Sequence, residues 1–156
     1  MVEQRAASFT SRSIKTKSKQ QGLRLALSMI DLTTLEGKDS PEKVRSLCSK
    51  AVLPWEGKFD PPLPSVAAVC VYPSLVQVAK QALAGSGVAV ASVATGFPSG
   101  QYPLDVRLND VEEAVRAGAD EIDMVINRGA FLSGNFDEVA NEITRVRTSC
   151  GKAHLK

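Results

Sequence analysis

The stretch GADEIDMVINRGAF, residues 118–131, places carboxylates in a segment whose other residues are typical of a β-strand. Side chains alternate between the two faces of a strand, so Glu121, Asp123 and Asn127 share one face, opposite the apolar side chains. An aspartate is disfavoured in a strand and costly to bury, so Asp123 requires a compensating partner or a function. It is either a general acid/base in a closed pocket or a carboxylate at the edge of the core that pairs with Arg128 or caps a neighbouring loop.

The final residues, AHLK, predict the start of another strand that ends in Lys156. A lysine that points into a barrel serves as a Schiff-base nucleophile or as a charge partner, because burial readily shifts the pKa of an ammonium group. Position alone favours the simpler interpretation, in which Lys156 is a solvated terminal lysine.

Three weaker signals accompany these residues. Cys70 lies in the apolar run VAAVCVY, where a cysteine is more often a small buried hydrophobe than a nucleophile. Asp31 and Thr33, in IDLTTL, either hydrogen-bond a substrate or satisfy backbone groups of the following loop. The glycines of TGFPSG permit close approach of the backbone to a ligand, although this short motif is a weak signal by itself.

The elements that must position these residues alternate between strands and helices. Strands are predicted at 28–35, 66–72, 88–97, 121–127 and from 153 onward, and helices at 38–52, 73–87, 105–120 and 136–151. Asp39 or Ser40 is the expected N-cap of the first of these helices, with Pro41 in its first turn. The expected buried stripes are Val44, Leu47, Cys48 and Val52 in that helix, and Val106, Leu108, Val111, Ala114 and Val115 in the third. Residues 54–65, with four prolines, and 129–135 are predicted loops.

Repeated strand–helix order predicts an α/β domain with parallel strands. A doubly wound nucleotide-binding sheet would show G-x-G-x-x-G after its first strand, whereas DLTTLEGKD follows here. In a (β/α)8 TIM barrel the inner strand face carries functional polar groups, which suits Asp31 and Asp123. Because such a barrel takes about 250 residues, this chain of 156 residues is expected to supply about four βα units and the start of the fifth strand.

Composition narrows the classes of function. A net charge of +2 and 44% hydrophobic residues indicate a soluble globular domain without a polyanionic partner. No apolar run approaches the ~18 residues of a membrane span, and because the N-terminus has no apolar h-region, secretion by a signal peptide is not expected. Three scattered cysteines and one histidine favour reduced thiols in the cytoplasm and no metal centre. Residues 1–22 are basic and are expected to form a flexible tail before a domain at 23–156; contact with nucleic acid or an acidic surface is the alternative.

Five motifs in order add a resemblance. They are IDLTTLEG (30–37), AAVCVYPS (67–74), VASVATGFPSG (90–100), GADEIDMVINRGAFLSGN (118–135) and HLK (154–156). Together they resemble the deoxyribose-phosphate aldolase family from about residue 25 to the last residue.

The resemblance implies a class I aldolase of deoxyribonucleotide catabolism that uses no cofactor. It would reversibly cleave 2-deoxy-D-ribose 5-phosphate to D-glyceraldehyde 3-phosphate and acetaldehyde through a lysine Schiff base. By the same resemblance, Asp123 is the proton donor and acceptor, and Lys156 is a charge partner in the same pocket. Four further positions match residues that line or support that pocket: Asp31, Thr33, Cys70 and Phe97.

The family's Schiff-base lysine lies on the sixth strand in a K-T-S-T-G motif, beyond the segment given, and so do its second lysine and its phosphate loops. No Schiff-base residue is therefore assigned. The chain alone is expected to be inactive and to associate through open strand edges, while the family implies a sugar-phosphate substrate and a homo-oligomer. The alternatives are another phosphate-handling barrel lyase or isomerase, or a non-catalytic half-barrel assembly module.

Overall fold

The computed structural model describes residues 1–11 and 13–156, in which five strands alternate with helices. The strands are β1 (Asp31–Thr33), β2 (Ala68–Val71), β3 (Ala89–Ala94), β4 (Glu121–Met124) and β5 (His154–Leu155). The α-helices are α1 (Val2–Thr10), α2 (Thr16–Ser28), α3 (Pro41–Val52), α4 (Val76–Ala82), α5 (Leu104–Arg116), α6 (Arg128–Leu132) and α7 (Phe136–Ser149). A 3₁₀ turn, Pro73–Leu75, precedes α4.

The strands form a single parallel sheet in the order β1-β2-β3-β4-β5. A doubly wound sheet reverses its strand order at a switch point, whereas a (β/α)8 barrel adds each strand next to the preceding one. The observed order is therefore that of the first four βα units and the fifth strand of a barrel.

The sheet curls as a barrel wall does. Four steps of about 4.8 Å would separate the outermost strands of a flat five-stranded sheet by roughly 19 Å. Yet Lys156 Nζ, just after β5, lies 2.5 Å from Asp31 Oδ2 of β1. Two side chains cannot bridge the flat separation, so the two edge strands have curved toward each other around the inner face.

The two faces of the sheet pack differently. The outer face contacts the helices through branched residues such as Val69, Val90 and Ile122, all fully buried. The inner face carries a second, smaller cluster of buried residues: Ala68, Cys70, Ala91 and Val93. Small side chains on the concave face leave room beside the polar residues of β1, β4 and β5.

Helix α3 begins as its sequence predicts. Ser40 is the N-cap, and its Oγ accepts a hydrogen bond from the Lys43 backbone N–H at 3.3 Å, while Pro41 occupies the first helical position. The predicted stripe is wrong at one position: Val52 is 40% exposed and Ala51 is buried instead. Ala51 continues the 3.6-residue period from Val44, whereas Val52 ends the helix and has turned outward.

Helix α5 departs further from its predicted stripe. Val106 is 54% exposed, and the neighbouring Arg107 is buried. Arg107 makes a bidentate ion pair with Glu142 of α7, which is buried as well. The pair compensates for the burial of both charges and turns α5 so that Val106 faces outward.

The segment predicted as a loop at 129–135 contains the short helix α6. Its N-cap is Asn127, whose Oδ1 accepts a hydrogen bond from the Ala130 backbone N–H at 3.1 Å. Of the two glycines in this segment, Gly129 and Gly134, only Gly134 adopts a positive φ (82°), and it follows the helix. An asparagine cap is sufficient to start a single turn of helix before it.

The basic N-terminal segment contains α1 and the first part of α2, and the expected domain boundary after residue 22 lies inside α2. Arg12, within this segment, lies outside the described residues. Arg24 of α2 donates hydrogen bonds to the carbonyls of Pro61 and Pro62, at 2.5 and 2.7 Å, and so fixes α2 to the proline-rich loop. Among residues 1–11 and 13–156, no helix is long and apolar enough to cross a membrane.

Candidate active site

Four charged side chains from three strands meet on the inner face of the sheet. Lys156 Nζ lies 2.5 Å from Asp31 Oδ2, 2.8 Å from Glu121 Oε2 and 3.2 Å from Asp123 Oδ1. The four side chains are between 25% and 32% exposed. We call these four residues the inner cluster. It contains one ammonium group and three carboxylates, all on the inner face of the curled sheet.

Strand register explains how the cluster assembles. Glu121 is paired with His154 and Ile122 with Leu155, and the Lys156 backbone N–H continues the ladder with a 2.8 Å hydrogen bond to the Ile122 carbonyl. Paired residues on parallel strands point to the same face, and so do residues two apart. Lys156 therefore shares the inner face with both carboxylates of β4.

The two carboxylate oxygens of Asp123 have different surroundings. Oδ2 accepts a hydrogen bond from the Cys70 thiol at 3.4 Å. Oδ1 is buried and has no hydrogen-bond partner among the described residues. Its 3.2 Å approach to Lys156 Nζ is close enough for an ion pair but lacks the direction of a hydrogen bond. A buried polar atom without a hydrogen bond is costly and calls for an explanation.

The inner cluster shifts the pKa of Lys156 and of the neighbouring Cys70. Burial tends to lower the pKa of Lys156, but its contacts with the carboxylates of Asp31, Glu121 and Asp123 outweigh burial, so the pKa is raised. Burial, followed by the charge and hydrogen bond of Asp123, raises the pKa of the Cys70 thiol to about 12. Lys156 is therefore a fixed cation at neutral pH, and Cys70 is a protonated hydrogen-bond donor rather than a nucleophile.

The loop after β3 is tied to the end of β4 by Thr95. This buried residue has a φ of 63°, which is unusual for a β-branched side chain. Thr95 Oγ1 accepts a hydrogen bond from the Val125 backbone N–H at 2.7 Å and lies 2.8 Å from the Val125 carbonyl oxygen. The hydroxyl thus extends the β3–β4 ladder past Asp123 while the main chain turns away into TGFPSG.

The aromatic residue of this loop contributes to the wall of the concave face. Phe97 is half-buried and packs against the small buried cluster of the inner face, which consists of Ala68, Cys70, Ala91 and Val93. Its ring meets that of Tyr72 edge to face, with centroids 6.1 Å apart. The Gly96 backbone N–H donates to Asp110 Oδ2 at 3.0 Å, which fixes the base of the loop on α5.

The structure brings together Asp31, Cys70, Asp123 and Lys156, and it places Phe97 beside them. Thr33 lies on the same strand, but among the described residues its hydroxyl contacts only the Asp31 carbonyl, at 3.4 Å. The alternative pairing of Asp123 with Arg128 is wrong, because Arg128 donates to the Pro98 carbonyl at 2.8 Å. Sequence reasoning missed Glu121 and Thr95 as site residues. The spacing of two between Glu121 and Asp123 was the available signal for Glu121.

Solved structures of aldolases match the fold of this chain. A crystal structure of a putative deoxyribose-phosphate aldolase from Coccidioides immitis matches with a TM-score of 0.73 and 30% identity, over 85% of this chain and 48% of that one. A protein described as "QR15, an Aldolase" matches with a TM-score of 0.70 and 28% identity, over 83% of this chain and 52% of that one. These likenesses confirm the predicted (β/α)8 architecture.

Sequence comparison gives the family. The family model described as DeoC/LacD family aldolase matches residues 25–156, and the chain belongs to that family. Deoxyribose-phosphate aldolases of Mus musculus and Homo sapiens are 45% and 43% identical to it, each over 153 residues and 93% of this chain. The chain spans about half the length of these curated relatives, 48% in each case.

Proposed function

We propose that this chain forms the N-terminal part of a deoxyribose-phosphate aldolase active site. The reaction is the reversible cleavage of 2-deoxy-D-ribose 5-phosphate to D-glyceraldehyde 3-phosphate and acetaldehyde. The observation that carries the proposal is the inner cluster, in which Asp123 Oδ1 is buried beside the Lys156 ammonium without a hydrogen bond. The names of the mouse and human relatives give the substrate class.

The chemistry assigned to Asp123 is proton transfer. In a class I aldolase the substrate aldehyde condenses with a lysine amine and loses water, and the resulting iminium accepts the electron pair of the breaking carbon–carbon bond. The proton of the C3 hydroxyl leaves as glyceraldehyde 3-phosphate forms, the enamine carbon then takes up a proton, and water releases acetaldehyde. Asp123 exchanges protons with the carbinolamine and the enamine, while Lys156 supplies a fixed positive charge next to it.

The test uses a completed barrel. Residues 1–156 are joined after Lys156 to the part of the mouse relative that follows the aligned region; we call this product the mouse-completed chain. We expect it to release glyceraldehyde 3-phosphate from deoxyribose 5-phosphate and to be trapped covalently by borohydride in the presence of acetaldehyde. Residues 1–156 alone are the control and should do neither. A folded mouse-completed chain that shows neither turnover nor trapping would refute the proposal.

The predicted homo-oligomer is part of the proposal. Strands β1 and β5 are the edges of the described sheet, and unpaired edges promote association. Light scattering after size-exclusion chromatography should therefore show residues 1–156 as a dimer or larger species. The mouse-completed chain, whose strand edges are paired within the barrel, should show a smaller tendency to associate through them. A well-folded monomer of residues 1–156 would contradict association through the edges.

The cytoplasm is the proposed location. Cys48, Cys70 and Cys150 are all free and buried, and unpaired thiols suit a reducing compartment. A fluorescent fusion of the chain, imaged in a eukaryotic cell, should fill the cytoplasm evenly. Concentration in a membrane-bound organelle would contradict this assignment.

A further inference from the structure

Glu121, like Asp31, is a member of the inner cluster to which the proposed reaction gives no task. Its side chain is 25% exposed and shares the inner face with Asp123, two residues along β4. Its contact with the cluster is the 2.8 Å ion pair between Oε2 and Lys156 Nζ. A second carboxylate so close to Asp123 adds repulsion between like charges, so its presence requires a reason.

The three carboxylates are not equivalent partners of Lys156. The Asp31 oxygen lies 2.5 Å from Nζ and accepts a hydrogen bond from it, and the Glu121 oxygen forms an ion pair with it at 2.8 Å. Asp123 Oδ1 is farther away, at 3.2 Å, and has no hydrogen bond. Asp31 approaches the ammonium from β1, across the concave face, and Glu121 approaches it from β4, the strand next to β5. The two carboxylates therefore hold the ammonium between them.

We propose that Glu121 is a positioning residue, which together with Asp31 holds the Lys156 ammonium so that Asp123 Oδ1 stays free to exchange a proton with the substrate. This inference rests on the proposed aldolase function. Without Glu121, Lys156 has one fewer acceptor and turns toward Asp123 to form a full hydrogen bond. A carboxylate oxygen that accepts such a bond from an ammonium is a poorer proton acceptor.

The kinetic test compares Glu121→Gln with the parent mouse-completed chain. Glutamine keeps the shape of the side chain and removes its charge. We expect kcat to fall by about 10-fold, less than the ~10² to 10⁴ typical of removing a general acid/base itself. KM should stay within about 2-fold and borohydride trapping should persist, because the substrate still forms its imine. Exchange of the acetaldehyde methyl protons with deuterated water should slow in proportion to kcat, and Glu121→Asp should restore part of it.

Glu138→Gln is the matched control, because it makes the same change on the exposed surface of α7 and should leave kcat and proton exchange unchanged. A purely structural role for Glu121 would instead lower the fraction of folded protein, with equal kcat per folded molecule. That outcome, or a loss of imine trapping, would overturn the proposal.

A second readout does not depend on activity. Lys156 is faced by Asp31, Glu121 and Asp123, and its acylation in residues 1–156 by a limiting amount of acetic anhydride can be followed by mass spectrometry. Glu121→Gln should increase the acylation rate of Lys156 several-fold relative to the other lysines, and Glu138→Gln should not. An unchanged acylation rate would contradict the proposal that Glu121 positions Lys156. If the mouse-completed chain is inactive but this rate rises, the aldolase proposal fails while the positioning contact stands.

Discussion

Two groups of charged residues lie on opposite sides of the sheet and differ in how completely they are paired. Between α5 and α7, Arg107 and Glu142 meet one to one in a buried bidentate pair, and Arg107 Nε also donates to the Tyr102 carbonyl at 2.8 Å. On the concave side, one ammonium serves three carboxylates, and Asp123 Oδ1 has no hydrogen bond among the described residues.

This difference distinguishes the Arg107–Glu142 pair, which is structural, from the inner cluster, which can exchange protons. Each nitrogen of the Arg107 guanidinium and each oxygen of the Glu142 carboxylate makes a hydrogen bond, so the pair fixes α5 against α7. The inner cluster keeps an excess of negative charge and an unoccupied oxygen that can accept a proton. Incomplete pairing on the inner face of the sheet is therefore the feature that indicates function here.

The largest expected effect is on kcat, and it tests Asp123, whose Oδ1 has no hydrogen bond among the described residues. In the mouse-completed chain, Asp123→Asn should reduce kcat by ~10² to 10⁴, the usual contribution of a general acid/base. Stability should change little, because Lys156 keeps its hydrogen bond to Asp31 and its ion pair with Glu121. Steady-state kinetics and urea unfolding of the same preparation measure the two effects. Turnover close to that of the parent would remove Asp123 from the mechanism.

Arg107 and Glu142, which we call the outer pair, should show the opposite response: their substitution should change stability rather than turnover. Arg107→Met leaves Glu142 buried without its partner and should lower the free energy of unfolding by about 3–5 kcal/mol. The double variant Arg107→Met/Glu142→Leu should recover most of that loss, because apolar residues of similar volume often replace a buried ion pair without cost. Urea unfolding of the four members of this cycle gives the result. If kcat per folded molecule also fell in the double variant, the outer pair would have a role in the site.

Loss of the Thr95 hydroxyl, which joins the end of β3 to the end of β4, should reduce stability by a smaller amount. Thr95→Val keeps the branched shape but leaves the Val125 backbone N–H without its acceptor, which should cost about 1–3 kcal/mol. Thr95→Ser keeps the hydroxyl and is the control. Urea midpoints of both variants, together with hydrogen exchange at the Val125 amide, test this. Equal stabilities of the two variants would show that the strained hydroxyl contact contributes nothing.

The smallest effect concerns pH. Because the folded chain raises the pKa of Lys156 above its ordinary 10.5, the stabilising contribution of this ammonium is complete below about pH 10.5 and is lost as the pH rises through the higher folded value. The stability difference between the parent and Lys156→Gln should therefore shrink above that pH. Urea unfolding between pH 8 and 11, at roughly constant ionic strength, follows it. A difference that grew with pH would reverse the assigned sign.

Much of the architecture follows from local sequence signals. Ser40 and Pro41 predict the start of α3, and the alternation of strands with helices predicts the parallel barrel order, because both depend on residues that are neighbours in the chain. The buried face of α5 could not be predicted in the same way. Arg107 lies on that face only because Glu142, 35 residues later, supplies its partner.

The site divides along the same line. By itself, the sequence determined that Glu121 and Asp123 share one face of β4, because alternation along a strand is a property of the backbone alone. The motifs then indicated Asp31, Cys70 and Lys156 as companions. Only the tertiary structure decided that Lys156 lies between Asp31 and Glu121 and leaves Asp123 Oδ1 free. That arrangement depends on the curl of five strands, which brings together atoms of residues 125 positions apart, and no local pattern encodes a distance across the barrel.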